Sequence, residues 1–126
     1  MTDFAKFIGR FVYSKNSDYS DPNVDTKSIL TALTPDEWEY REIQVDTGGN
    51  TIDLGHFATI TGLHVVNLDD TNFVTAAYSS ASTTCSNKIS ALGQILLANV
   101  DITVADDLVL TADTAACECL VAIVGT

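Results

Sequence analysis

From Thr51 onward the chain is a succession of short β-prone runs separated by turn formers, with no room between them for the helices that parallel crossovers need. The runs are Thr51 to Leu54, Leu63 to Leu68, Phe73 to Tyr78, Gln94 to Leu97, Leu108 to Leu110 and Cys117 to Val124. Strands so closely spaced pair antiparallel, and an antiparallel sheet hides its apolar face against a second layer. The expected fold class is therefore all-β, an antiparallel β-sandwich.

Upstream, Tyr40 to Val45 alternates with period two and meets the turn Asp46-Thr47-Gly48-Gly49-Asn50. Just before it, Thr34-Pro35-Asp36-Glu37 joins an N-cap threonine, a proline at the first helical position and a glutamate three residues after the cap. That combination predicts a short helical turn through Trp38. Ser86 to Leu92 leaves room for one more turn, and Val65 to Val74 predicts a hairpin around the polar tip Asn67 to Asn72.

The first segment, Phe4 to Tyr13, has apolar residues at helical spacing, yet Gly9 and its aromatic, β-branched content favour a strand. Ser14 to Thr26 is polar and rich in turn formers, which predicts a long loop or extended arm. Residues 1–34 thus read as an N-terminal arm and 35–126 as the sandwich, one domain overall, without internal repeats.

The chain carries 17 acidic against 6 basic residues, a net charge of -11, and after Arg41 the only basic side chain is Lys88. A field of that sign repels phosphate, so nucleic acid is not expected as a partner. A surface facing water or a basic protein fits better. No run approaches the roughly 18 apolar residues of a membrane span, and Met1 to Lys6 does not have the make-up of a secretory signal. No membrane partner is expected, and assembly in a cytosol-like compartment is.

Candidate sites are few. Asp46-Thr47-Gly48 matches the three-residue signature of aspartic proteases, whose paired carboxylates share a proton, and dimerisation would supply a second aspartate. Gly49-Asn50 then follows where those enzymes have Ala or Ser, and the same residues make a hairpin turn for steric reasons. His56 and His64 lack Cys or His at metal-ligand spacing, and no serine or cysteine has a nucleophile-elbow context. His64 is expected on a strand face and His56 in a loop.

Cys117 and Cys119 fall on one side of a strand, with Val121 and Ile123 after them, and read as small buried hydrophobes; a bridge from Cys85 to one of them, or a soft-metal site with Cys85 that would still want a fourth ligand, are the other readings. Asp69, Asp70, Asp106 and Asp107 would be the ligands of a calcium- or carbohydrate-binding module, although they follow no calcium-loop pattern. The expectation is no catalytic residue, no metal and no cofactor. Phe4, Phe7, Phe11 and Tyr13 are the candidate interface residues, with an ordinary strand folded on the core as their alternative.

The run Leu63-His64-Val65-Val66-Asn67-Leu68-Asp69-Asp70-Thr71-Asn72-Phe73-Val74 resembles small structural proteins of tailed bacteriophages. These often carry a strand, an Asn-Leu-Asp tip and a Thr-Asn-aromatic-Val start to the next strand. A late Ala-Asp-Thr-Ala-Ala before an apolar last strand completes the pattern, here Ala112 to Ala116 and Leu120 to Val124. The likeness covers Thr51 to Val124; the Ser- and Thr-rich Ser79 to Ser90 and the Cys117/Cys119 pair depart from it.

The resemblance implies a jelly-roll-like sandwich and a non-enzymatic virion protein. As a capsid decoration or cement protein it would bind the outer shell as a symmetric homo-oligomer, a trimer being the expected state. Its partners would be the major capsid protein or other virion proteins. A tail, neck or fibre-attachment component is the alternative, and a small dimeric aspartic protease or a calcium- or carbohydrate-binding module ranks below both.

Overall fold

The computed structural model describes residues 5–9, 12–14, 22–25, 29–33, 37–80 and 83–126. The chain divides into two compact units, Met1–Thr34 and Pro35–Thr126.

The first unit holds β1 (Ala5–Gly9), β2 (Val12–Ser14), β3 (Pro22–Asp25) and β4 (Ile29–Leu33). β1 pairs antiparallel with β4, and β2 pairs antiparallel with β3 inside it, so the strands nest as a ribbon. The loop expected from Ser14 to Thr26 is corrected at both ends. Ser14 belongs to β2, and residues 22–25 form β3, with Val24 opposite Tyr13. Pro22 opens its strand, where a missing N–H does least harm.

The second unit contains β5 (Glu37–Val45), β6 (Asn50–Ile52), β7 (Ile60–Asn67), β8 (Val74–Ser80), β9 (Thr83–Ile89), β10 (Gln94–Ile102), β11 (Leu108–Ala112) and β12 (Cys117–Gly125). They make two four-stranded sheets, ordered β10-β7-β12-β5 and β6-β11-β8-β9. The pairs β8·β9, β7·β10, β6·β11 and β5·β12 nest one outside another, all antiparallel. A long double ribbon of this kind, rolled so that successive pairs along it alternate between the two sheets, is the jelly roll. The rolled ribbon is sewn shut by two further antiparallel pairings, β12·β7 and β11·β8.

Alternation decides what goes inside. Along β12, Cys117, Cys119, Val121 and Ile123 are buried; along β8, Val74, Ala76 and Tyr78; along β11, Leu108, Leu110 and Ala112. These side chains meet those of β7, Val45, Ile52 and Phe57 in one core between the sheets. Each fully buried Leu, Ile or Val contributes about 1.5 to 3 kcal/mol.

Three local expectations are corrected. Glu37 and Trp38 open β5 and are not a helical turn; residues 34–36 lie outside the described residues. Nine residues of register with β12, from Gly125 opposite Glu37 to Cys117 opposite Val45, override the capping signal. Ser86 to Ile89 belongs to β9, and the described helical turn is a 3-10 turn at Val104–Asp106.

The expected hairpin is the third. β7 and β8 do not pair with each other, because they lie in different sheets, and Leu68 to Phe73 carries the chain across between them. The Asp69 carboxylate accepts the N–H groups of Thr71 and Asn72, and Asn67 Oδ1 accepts that of Asp69. These side-chain bonds take the place of hairpin ladder bonds and redirect the backbone.

Candidate functional site

The outer faces of the two sheets differ in character. On β6-β11-β8-β9 the outward positions include Thr51, Thr75, Thr111, Thr84, Ser86 and Lys88, the expected dress of a solvated sheet. Lys88 also lies 4.1 Å over the ring of Phe73.

The outer face of β10-β7-β12-β5 is apolar instead. Cross-strand registers arrange it in rows. The first is Ala98, Gly62, Val124 and Trp38; the second Leu96, His64, Ala122 and Tyr40; the third Gln94, Val66, Leu120 and Glu42. Glu118 and Gln44 continue β12 and β5 beyond the third row, and the Leu68 N–H donates to the Glu118 carbonyl at 2.9 Å.

Trp38 is 65% exposed, Tyr40 54% and Leu96 37%. Val66, Leu120, Ala122 and Val124 are half-buried between them. A contiguous apolar face on a sandwich costs free energy in water unless something covers it. One imidazole lies in the middle, where His64 Nε2 and Gln94 Oε1 are 2.6 Å apart.

The other candidate residues are dispersed. Asp46 is exposed at the β5–β6 turn, where its carbonyl accepts from Gly49 N at 3.1 Å and from Ala112 N at 3.1 Å. Its own N–H donates to Asn50 Oδ1, and Gly49 takes a φ of 88° that favours glycine. Those bonds account for the Asp-Thr-Gly sequence as a turn.

His56 sits in the β6–β7 loop beside Phe57, with ring centroids 4.1 Å apart and the planes tilted by 40°. Its Nε2 is 3.4 Å from Glu39 Oε2, and Arg41 pairs with the other oxygen of Glu39. This charged group closes one edge of the sandwich, because Glu39 and Arg41 stand opposite the core residues Ile123 and Val121.

Cys117 and Cys119 lie in the core, and Cys85 is half-buried on β9 opposite Tyr78; all three thiols are free. Burial, reinforced by Cys117, Glu118 and Asp69, pushes the Cys119 thiol up to about 11, and burial raises Cys117 in the same direction.

The two acidic tips do not converge. Asp69 and Asp70 lie between β7 and β8, at the end where the Leu92 N–H meets the Asp69 carbonyl. Asp106 and Asp107 lie between β10 and β11 at the opposite end, where Asp107 Oδ1 accepts from Leu54 N at 3.1 Å. Among the described residues no three His, Cys, Asp or Glu side chains gather as a metal site requires.

Of the expected interface residues, Phe4 and Phe11 lie outside the described residues, and Phe7 and Tyr13 stand in β1 and β2 opposite Thr31 and Val24. The apolar face was not among the expected sites. Its signal is present in the sequence all the same: Leu120-Val121-Ala122-Ile123-Val124 is apolar at both parities, in a fold whose strands need one apolar side only.

No family model, curated protein or solved structure matches the chain.

Proposed function

We propose that this chain is a non-enzymatic structural protein of a tailed-bacteriophage virion, a capsid decoration protein that binds and stabilises the outer shell as a symmetric homo-oligomer. It is assembled in the host cytoplasm, with the major capsid protein as its partner. The observation that carries the reading is the apolar outer face of β10-β7-β12-β5, on which Trp38 and Tyr40 are more than half exposed, and which fits a protein made to be part of something larger.

Two further features support it. A jelly roll is a rigid scaffold that virus shells use, among other proteins, and the turn-and-strand patterns from Leu63 to Val74 resemble those of small phage structural proteins. From Pro35 onward thirteen acidic residues face two basic ones, Arg41 and Lys88. A sandwich so charged suits the outside of a shell better than its DNA-filled interior.

The test is the copy number of the protein in purified particles, by quantitative mass spectrometry. Hundreds of copies per particle are expected. A small multiple of three or six moves the protein to the tail, neck or fibre attachment, and its absence from particles overturns the reading.

A further inference from the structure

The face on β10-β7-β12-β5 has a pattern that specifies its own partner. We infer that it is covered by the same face of a second copy, with a two-fold axis lying between the copies, parallel to the strands and midway between β7 and β12. The inference rests on the reading of the protein as one that assembles, and it adds what the face assembles with.

Area comes first. Four strands about 4.8 Å apart and about seven residues of about 3.3 Å give a footprint of roughly 440 Å² on each copy. The pair then buries about 900 Å² as a flat footprint, and side chains as large as the exposed Trp38, Tyr40 and Leu96 standing above the sheet bring the contact to the roughly 1,000 Å² that a specific interface needs.

Charge selects the partner. The carboxylates Asp46, Asp69, Asp70 and Asp113 lie in turns at one end of the sandwich, and Asp53 and Asp106 at the other. The three apolar rows contain a single carboxylate, Glu42. A basic partner would find almost nothing to pair with there. A second copy, repelled by every acidic end, meets no such barrier at this face.

Shape and hydrogen bonding fix the axis. A two-fold parallel to the strands lays β10 over β5 of the second copy and β7 over its β12, row upon row. Trp38 then meets Ala98, Val124 meets Gly62, and Tyr40 meets Leu96, so that large side chains face small ones in two of the three pairs. In the third row Gln94 meets Glu42. The Gln94 oxygen is engaged by His64, which leaves the amide N–H groups to donate to the carboxylate. An axis across the strands would instead stack β5 on β5 and β10 on β10, with the apolar Trp38 over the Glu42 carboxylate and Ala98 over Gln94.

The experiment uses the full chain. Sedimentation equilibrium at about 100 µM is expected to give a dimer, and Ala122→Glu, which puts a carboxylate at the centre of the contact, to weaken it about 100-fold. Thr75→Glu on the other sheet is the control that stays dimeric, and unchanged circular dichroism shows that the variants fold. The axis is tested by mixing Trp38→Cys chains with Ala98→Cys chains, each also Cys85→Ser, and adding a short bis-maleimide. Cross-links are expected in the mixture and not in either variant alone, because like residues lie at opposite edges of the sheet.

A monomer, or a dimer indifferent to Ala122→Glu, overturns the inference, and a dimer without mixed cross-links overturns the axis. A trimer also overturns it while leaving the virion reading to the particle copy number, so the two fail separately.

Discussion

The side-chain amide of Asn67, at the end of β7, donates to the carbonyl of Ile89, at the end of β9, across 3.2 Å of buried interior. The two strands belong to different sheets, so one fully buried polar side chain ties the layers together. The same NH2 group reaches the carbonyls of Asn72 at 2.9 Å and Ser90 at 3.3 Å. Asn67→Leu keeps the volume but strands buried acceptors, so a loss of about 3 kcal/mol is expected. That corresponds to a fall of roughly 15 °C in Tm. A loss below about 1 kcal/mol in urea unfolding would show that water replaces the amide.

Asp69 makes stability depend on acid. The hydrogen bond from the Asn72 N–H, and then that from Thr71, hold its carboxyl below the ordinary 3.8. The unfolded chain therefore binds this proton more tightly than the folded one. The stabilisation is complete above 3.8 and is lost as the pH falls through the lower folded value. Asp69→Asn keeps an acceptor oxygen, so its urea midpoint should decline less steeply than the parent's between about pH 4 and about pH 2. Equal slopes would rule Asp69 out as a source of acid sensitivity.

Gly125 pairs with Ile60 where the β12–β7 register slips by one residue. A methyl group there would come within 3.0 Å of Ile60 Cα and closer still to the Thr59 carbonyl oxygen, both backbone atoms that cannot swing away. Gly125→Ala is expected to destabilise by about 2 kcal/mol, and a melting curve reads it. An unchanged Tm would mean that the neighbouring Thr59–Thr126 bridge shifts freely.

The cysteines should titrate as one plus two. Cys85 is half-buried near the surface, whereas Cys117 and Cys119 are buried and their thiols are held protonated. The thiolate is the reactive form, so a thiol reagent at about pH 8 should label one cysteine quickly in the folded protein and three in urea. Fast loss of all three without denaturant would contradict the packed core.

Leu92 occupies a left-handed conformation, φ 59°, with its side chain 69% exposed. A leucine there sacrifices roughly 1 kcal/mol that asparagine would not. Leu92→Asn should raise the urea midpoint accordingly. A lower midpoint would show that the side chain packs inside the molecule.

Most of the sandwich was legible in the sequence, and most of its pairing was not. Seven of the eight strands announce themselves by alternation or apolar content, as at Leu108 to Leu110 and Cys117 to Val124. β9 does not, because an edge strand of Thr, Ser, Asn and Lys has little to bury beyond Ile89. Which strand pairs with which depends on contacts tens of residues away. Val65 to Val74 has the local chemistry of a hairpin, and only the competing registers of β10, β11 and β12 pull its arms into separate sheets.

The apolar outer face was hidden for a related reason. Trp38 and Tyr40 stand beside a proline and an N-cap threonine, whose local signal is helical. Only the register with Val124 and Ala122 reveals that they stand on an outward ladder. An apolar run such as Leu120 to Val124 states that both sides of a strand want cover, and does not state by what.

The position of β12 has a consequence for how the molecule is made. The last strand in sequence is not at the edge of its sheet but between β7 and β5. In folding, β5 and β7 therefore stay unattached to each other until β12 inserts between them. Until that insertion their unpaired borders are open to other chains, which makes the state lacking β12 the one most exposed to aggregation.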